Sequence, residues 1–123
     1  LKFSGVDLNQ KNLKLTSLQF KKTNIQMGDF LEFNFSITNV TNKKIKYIVD
    51  YTIYFKKNNE NLSPKVFKLK AGLLEPGEVL KITKKHGFKP ITTRKYYSGR
   101  HQIAIKLNGH EFDLKNFNLL KSL

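Results

Sequence analysis

Apolar and polar residues alternate with a period of two along most of this chain, and no segment holds the 3.6-residue period of a helix. In residues 31–38, for example, Leu31, Phe33 and Phe35 share one face, and polar residues fill the other. This alternation is typical of half-buried antiparallel strands. It predicts seven strands, at residues 13–22, 31–38, 44–56, 67–71, 80–88, 99–107 and 112–119.

Interruptions of the alternation and turn-forming residues mark the boundaries between these strands. The parity of the apolar positions shifts at Thr16–Ser17, which predicts a bulge, and shifts again near Lys115–Asn116. Asn108–Gly109 is the strongest two-residue hairpin signal in the chain. Further turns and loops are predicted at residues 26–29, 39–43, 57–64 and 75–78, with a crossover at 89–98.

Seven short strands with regular turn signals and no helix predict an all-β fold. The expected architecture is an antiparallel β-sandwich of the immunoglobulin or fibronectin-III type. A small closed barrel is the rival, but the strand number and the crossover favour the sandwich. We expect one Ig-like domain at residues 13–120, a polar lead or linker remnant at 1–12 and a frayed tail at 121–123.

Composition adds an expectation about the cellular compartment. The chain has 123 residues and no cysteine, so it can form neither a disulfide nor a cysteine-ligated metal site. Extracellular Ig-type domains often carry a disulfide, so this absence favours a reducing compartment, and we expect a cytoplasmic protein. The chain begins at Leu1 rather than Met, which predicts a processed chain or an excised domain.

The net charge of +14, from 23 basic and nine acidic residues, bears on the partner. Such a charge favours nucleic acid, an acidic protein face or an anionic membrane. No apolar run approaches the ~20 residues that span a bilayer. However, lysine and asparagine together form more than a quarter of the chain, as an AT-rich genome would encourage. Composition alone therefore leaves a functional basic surface and codon bias as alternatives.

The chain lacks the residues that most catalytic and metal sites need. It has no cysteine nucleophile, no Gly-x-Ser-x-Gly elbow and no glycine-rich phosphate loop. Its three histidines, His86, His101 and His110, do not fall at a zinc-binding spacing. His101 shares the parity of Ile103, so we expect a buried corner residue with one hydrogen bond. We predict no catalytic residue, no metal and no cofactor.

A basic and aromatic stretch at residues 92–101 is the most distinctive segment of the chain. Only two of the 23 basic residues are arginines, Arg94 and Arg100, and both lie here on either side of Tyr96–Tyr97. Arginine offers a planar fork for phosphate or base contacts that lysine lacks. The selective use of arginine is therefore more informative than the total charge.

This stretch supports two hypotheses. In the first, Arg94, Lys95 and Arg100 contact a nucleic-acid backbone or groove together with an exposed tyrosine, for which Tyr96 is the candidate. In the second, one tyrosine packs under the end of the sandwich and the arginines lay their stems along it. Tyr97, which precedes the glycine turn, is the expected packing residue. The residues alone favour neither hypothesis over the other.

Several motifs carry a resemblance to a known family. They are Ser-Pro-Lys-Val-Phe-Lys at 63–68, Leu-Glu-Pro-Gly-Glu at 74–78, Lys-Lys-His-Gly-Phe at 84–88, the stretch 92–101 and Asn-Gly at 108–109. Together they resemble the C-terminal Ig-like domain of AlkC-type DNA alkylation-repair proteins, which are HEAT-like-repeat DNA glycosylases. The resemblance covers roughly residues 28–119 and is most specific from Ser63 onward. Many family members have proline where this chain has Ser98.

The resemblance implies an accessory role in a larger enzyme that removes positively charged N-methylated purines from duplex DNA. The catalytic acids would lie in a helical HEAT-like repeat domain, which these 123 residues do not contain. The Ig-like domain would grip the DNA backbone or minor groove near the lesion. By motif match, the predicted DNA contacts are Lys84, Lys85, His86, Arg94, Lys95, Tyr96 and Arg100.

The predicted function is thus a non-catalytic, DNA-gripping domain of an alkylation-repair glycosylase. Its expected partners are duplex DNA and the HEAT-like repeat domain of the same protein, with no membrane partner. The alternative is a bacterial Ig-like module for protein–protein or cell-surface contacts. A stand-alone enzyme is a third and more remote hypothesis.

Overall fold

The computed structural model describes residues 12–59, 61–89 and 95–121, which form nine strands. The strands are β1 (Leu13–Leu15), β2 (Gln19–Phe20), β3 (Asn24–Gln26), β4 (Phe30–Asn39), β5 (Ile45–Lys56), β6 (Leu62–Leu74), β7 (Val79–Gly87), β8 (Gly99–Leu107) and β9 (His110–Leu120). Within these residues, no helix has the length and apolar character that a membrane crossing requires.

Two sheets pack face to face around a single hydrophobic core. In the four-stranded sheet, β4 pairs with β7 on one side and with β1 and β2 on the other. The five-stranded sheet has the order β3–β9–β8–β5–β6. Every pairing is antiparallel except that of β3 with β9. The predicted antiparallel sandwich is confirmed.

The alternation of apolar residues builds this core. In β4, Leu31, Phe33 and Ile37 are fully buried, and β5 contributes Tyr51 and Ile53 from the facing sheet. The rings of Phe33 and Tyr51 meet edge to face, with centroids 5.2 Å apart. Each such side chain stabilises the fold by about 1.5–3 kcal/mol through removal of apolar surface from water. The inward faces of the two sheets therefore hold the sandwich together.

The predicted first strand, residues 13–22, is divided in the structure. β1 and β2 both pair with β4, and the break between them follows the predicted bulge. There Thr16 Oγ1 accepts a hydrogen bond from Ser36 N at 2.8 Å. The prediction missed β3, whose last residue, Gln26, was assigned to a turn. Because β3 has only one buried residue, Ile25, it leaves no alternation to read.

The edge strand β6 is longer than predicted. It begins at Leu62, so the prediction of a loop through Pro64 was wrong. Proline lacks a backbone donor, but it is tolerated here because β6 lies at the edge of its sheet. The pairing with β5 also shifts between Val49 and Asp50, which makes Leu69 an extra, bulged residue. This bulge breaks the alternation from which strand length is predicted.

A bulge in β9 accounts for the second parity shift. The register between β8 and β9 slips between Ile103 and Ile105, which pair with Lys115 and Phe112. The bulge in β9 therefore lies at residues 113–114, slightly before the predicted position at Lys115–Asn116. Asp113 stands in this bulge with a φ of 60°, and its carboxylate accepts a hydrogen bond from Leu18 N. The bulge therefore ties the five-stranded sheet to the segment between β1 and β2.

A buried asparagine holds one end of the sandwich, which we call the asparagine end. Asn39, at the end of β4, is fully buried. Its Nδ2 donates to the carbonyl oxygens of Lys43 and Leu74, at 2.6 and 3.0 Å. Its Oδ1 accepts from Thr41 N at 2.9 Å. Because Leu74 belongs to β6, this one side chain links the two sheets.

The predicted hairpin at Asn108–Gly109 also lies at the asparagine end and is confirmed. Asn108 has a φ of 48° and Gly109 a φ of 89°, so both central residues of the turn are left-handed. This is the geometry for which the Asn-Gly pair is preferred. The Asn108 backbone N–H donates to Ile48 O at 2.8 Å, which fixes the turn against β5.

Candidate nucleic-acid interface

Basic side chains gather at the opposite end of the sandwich, which we call the lysine end. Here β5 ends and both β6 and β8 begin. Lys56 and Lys57 are consecutive at the end of β5, and their side chains line two different depressions. Lys57 N donates to Asn61 O at 2.8 Å, which closes the loop leading to β6. The strand end thus directs positive charge to both of its sides.

The depression that Lys57 lines is an open cavity of about 390 Å³, and three lysines border it. Lys57 follows β5, Lys65 lies in β6, and Lys95 lies in the segment leading to β8. The wall between them includes the rings of Pro64 and Tyr97. None of the described residues that line the cavity is acidic. The cavity therefore presents aromatic surface beside several cations.

Two of these lysines lie over aromatic rings. Lys95 Nζ is 5.4 Å from the ring centroid of Tyr97, and Lys65 Nζ is 5.6 Å from that of Phe67. Such contacts are worth about 0.5–1 kcal/mol each at exposed sites. Within the described part of the chain, neither ammonium group forms an ion pair with a carboxylate. The two rings therefore help to position these positive charges.

Arg100 lies on the other side of the strand end, on the outer face of the five-stranded sheet. It is exposed and precedes the fully buried His101, so its side chain points away from the core. Lys56, Gly99 and Arg100 line a second depression of about 350 Å³. Gly99 has a φ of 129°, and a Cβ there would lie 2.7 Å from Lys56 Cδ. Glycine therefore lets the Lys56 side chain pass over the start of β8.

Tyr96, a predicted DNA contact, packs onto the core. Its ring stacks on Phe55 at a centroid distance of 6.0 Å and meets Phe88 edge-on at 5.3 Å. Tyr97 instead lines the cavity. The expectation that Tyr97 packs while Tyr96 is exposed was therefore wrong. These residues precede β8, which begins at Gly99, so strand parity does not decide which ring turns inward.

His101 is the buried corner residue that its parity predicts. It is fully buried, and its Nδ1 lies 3.2 Å from the carbonyl oxygen of Gly99. Burial lowers the pKa of His101 because an imidazolium would be desolvated, and the nearby charge of Lys56 adds to this effect. In the described residues, no group of three or more potential His, Cys, Asp or Glu ligands could hold a metal ion.

The two predicted lysine contacts on β7 lie on opposite sides of the four-stranded sheet. Lys85 projects from the outer face of the four-stranded sheet, with its Nζ 3.9 Å from a carboxylate oxygen of Glu32. Lys84 has the opposite parity and pairs with the buried Phe33, so it lies on the inner side of this edge strand. Lys85 and Arg100 consequently occupy opposite outer faces of the sandwich.

His86 packs among aromatic residues at the edge of the core. Its Nδ1 lies 2.7 Å from Tyr51 Oη, and its ring meets Phe67 edge-on at 4.7 Å. Burial raises the pKa of Tyr51 to about 12, so this hydroxyl stays protonated at hydrogen-bonding distance from the imidazole. A role for His86 in DNA binding stays a prediction, as do the roles of Lys84 and Lys85.

The structure brings together only some of the predicted contacts and adds others. Lys95 and Arg100 both lie at the lysine end, whereas Arg94 is outside the described residues. The sequence did not single out Lys56, Lys57 and Lys65, because they are three of 21 lysines. The one signal in the sequence was their position near the predicted ends of strands.

Comparison with known proteins places this fold in a family. The family model described as "Uncharacterised protein YhaZ, C-terminal Ig-like domain" matches residues 14–121. The chain belongs to this family. The match includes all of the strands described above except the first residue of β1.

Two longer proteins contain regions that are similar to this Ig-like domain. The YhaZ protein of Bacillus subtilis (strain 168) is 31% identical over 111 residues, which are 90% of this chain and 30% of that protein. The alkylpurine DNA glycosylase AlkC of Pseudomonas fluorescens, bound to DNA containing an abasic site analog, superposes with a TM-score of 0.84. That match has 30% identity and covers 89% of this chain and 30% of the glycosylase chain.

The chain is therefore a C-terminal Ig-like domain of the AlkC type, as the sequence motifs predicted. It spans about 30% of the length of these two relatives. A β-glucosidase from Listeria innocua also superposes, with a TM-score of 0.69 over 89% of this chain and 16% of its own chain. At 14% identity, this third likeness shows a shared fold alone.

Proposed function

We propose that this Ig-like domain grips duplex DNA for an AlkC-type glycosylase and takes no part in the chemistry on the base. The observation that carries the proposal is its similarity to the Ig-like region of AlkC, which was solved bound to DNA. The catalytic acids would reside in a HEAT-like repeat domain outside these 123 residues. Both the contact with duplex DNA and the HEAT-like repeat domain are proposed.

The lysine end is the surface best suited to this grip. Cations on both sides of one strand end can contact phosphates of a backbone that runs across it. Phosphate contacts of this kind fix the position of a protein on DNA without reading its sequence. Arg94, which precedes Lys95 in the chain, stays a predicted contact. The proposed phosphate-binding residues are Lys56, Lys57, Lys65, Lys95 and Arg100.

Salt dependence of DNA binding tests the proposal. The dissociation constant for a fluorescein-labelled duplex would be measured by anisotropy between 50 and 200 mM salt. Neutralisation of five phosphates predicts that log affinity falls against log salt with a slope of roughly −4 to −5. A slope near zero, or no measurable binding at low salt, would contradict a phosphate grip.

A charge-matched pair of variants separates the lysine end from the total charge. The variant Lys57→Ala/Lys95→Ala/Arg100→Ala should weaken binding at low salt and flatten the slope by roughly three. The control Lys43→Ala/Lys46→Ala/Lys81→Ala removes three exposed lysines elsewhere in the described chain. It has the same net charge as the test variant. Equal loss of affinity in both variants would mean that only the overall charge matters.

A further inference from the structure

The cavity at the lysine end has more shape than a grip on passing phosphates needs. Its volume of about 390 Å³ lies in the range of small-molecule sites, roughly 300–1,000 Å³. A backbone phosphate can be held by exposed cations on a convex surface, with no cavity at all. The concavity is therefore large enough to admit a small ligand.

The charges around this cavity define one part of that ligand. Lys57, Lys65 and Lys95 come from three different segments and border the same space. Within the described chain none of the three is paired with a carboxylate, and no residue lining the cavity is acidic. Three ammonium groups around one opening favour a phosphate group, since lysine binds phosphate as a point charge.

The other residues that line the cavity define the rest of the ligand. The half-buried ring of Tyr97 and the ring of Pro64 give the cavity flat apolar surface. Ser63 and Asn58 add a hydroxyl and an amide, which can hydrogen-bond to the edge of a base or to a sugar. Aromatic side chains next to cations are the arrangement on which proteins bind unstacked bases.

We propose that this cavity binds one unpaired nucleotide, with its base against Tyr97 and its phosphate among Lys57, Lys65 and Lys95. A base inside a duplex is stacked and paired, so it cannot enter a cavity of this kind. The nucleotide is either part of a single strand or strand end, or a free nucleotide. The site goes beyond the proposed duplex grip, because it needs an aromatic residue that a phosphate contact does not use.

Isothermal titration with three small probes tests the two parts of the site. The probes are deoxyadenosine monophosphate, deoxyadenosine and inorganic phosphate. The monophosphate should bind at least about fivefold more tightly than phosphate alone, which is the effect of stacking one base. Phosphate that binds as tightly as the nucleotide would overturn the proposal, as would absence of nucleotide binding.

Substitutions test which residue binds the base and which residue binds the phosphate. Tyr97→Leu keeps an apolar side chain but removes the aromatic ring, and it should cost about fivefold or more in affinity for the monophosphate while inorganic phosphate binds as before. Tyr97→Phe should keep the wild-type affinity. Lys57→Ala should weaken both phosphate-bearing probes, and the control Lys46→Ala neither. An unchanged affinity for the monophosphate in Tyr97→Leu would overturn the proposal.

Competition identifies the source of the nucleotide and separates this site from the grip. A ten-nucleotide single strand that displaces the monophosphate supports a strand ligand, whereas a monophosphate that the strand does not displace supports a free nucleotide. Tyr97→Leu should retain the duplex affinity and salt slope of the wild type. Loss of monophosphate binding with intact duplex binding thus supports the nucleotide site. An equal loss of duplex and monophosphate affinity in Tyr97→Leu overturns it, because the ring would then serve the duplex grip.

Discussion

The two ends of the sandwich are held together by different interactions. At the asparagine end, the buried amide of Asn39 in the four-stranded sheet hydrogen-bonds to a carbonyl of the five-stranded sheet and to backbone groups of the loop after β4. At the lysine end, Tyr96 closes the core by stacking on Phe55 and meeting Phe88, while lysines surround the rim. The first end is closed by satisfied polar groups. The second is closed by rings, beside which Lys65 and Lys95 have no carboxylate partner within the described residues.

This difference separates stability from binding. A buried amide with several partners is costly to disturb, because each lost hydrogen bond leaves a desolvated group. Exposed lysines without carboxylate partners contribute little to folding, since solvent and salt screen them. We therefore expect the asparagine end to carry more of the stability and the lysine end to carry the contacts with nucleic acid. The following predictions test this division, from the largest expected effect on stability to the smallest.

Asn39→Ala should destabilise the domain most, by about 3 kcal/mol in the free energy of unfolding. The carbonyl of Leu74 and the N–H of Thr41 would lose their partner in a buried site, at about 1–3 kcal/mol for each unsatisfied group. Urea denaturation followed by circular dichroism measures the effect. The control Asn42→Ala, at an exposed position, should change stability by less than about 0.5 kcal/mol.

Tyr96→Ala should cost less, about 2 kcal/mol, because the ring is only half-buried against Phe55 and Phe88. The same denaturation experiment on Tyr97→Ala should show a loss of under about 1 kcal/mol, since that ring faces the cavity. If Tyr97→Ala proved the more destabilising of the two, the assignment of Tyr96 as the packing residue would fail.

His101 should make the stability of the lysine end depend on pH. Burial lowers its pKa in the folded state, whereas the unfolded chain takes up the proton near the usual value of about 6.5. This contribution is complete above that pH and is lost as pH falls towards the folded pKa, by up to about 1.4 kcal/mol per pH unit. Thermal melts of the wild type between pH 7.5 and 5 measure it.

The matched variants for this experiment replace one histidine each. His101→Phe keeps an aromatic ring beside Phe88 and Phe117 without a titrating group, so its melting temperature should fall less steeply with decreasing pH. His110→Gln alters a hairpin residue away from this end and should follow the wild type. Parallel profiles for His101→Phe and the wild type would rule out His101 as the source of the effect.

Lys57→Ala/Lys95→Ala should have the smallest effect on stability, within about 0.5 kcal/mol. Both residues are exposed, and removal of two charges from a chain of net charge +14 also relieves repulsion. Denaturation and DNA binding would be measured on the same preparation. A stability loss of 2 kcal/mol or more would break the division between the two ends, because these lysines would then belong to the fold.

The sequence by itself determined the sandwich. The alternation in β4, β5 and β8 marked which residues face the core, because each of these strands has one buried face and neighbours on both sides. It also identified the Asn108–Gly109 hairpin and the buried His101, since each depends on residues close together in the chain. The motifs from Ser63 onward indicated the family.

Only the tertiary structure decided the site. Lys57, Lys65 and Lys95 border one cavity because β5 pairs with β6 and with β8, and no local pattern encodes which strands become neighbours. The exchange of roles between Tyr96 and Tyr97 has the same origin: the segment before Gly99 is not a strand, so its rings turn to wherever the core has room. Alternation records burial along one strand, whereas a binding site is assembled from several.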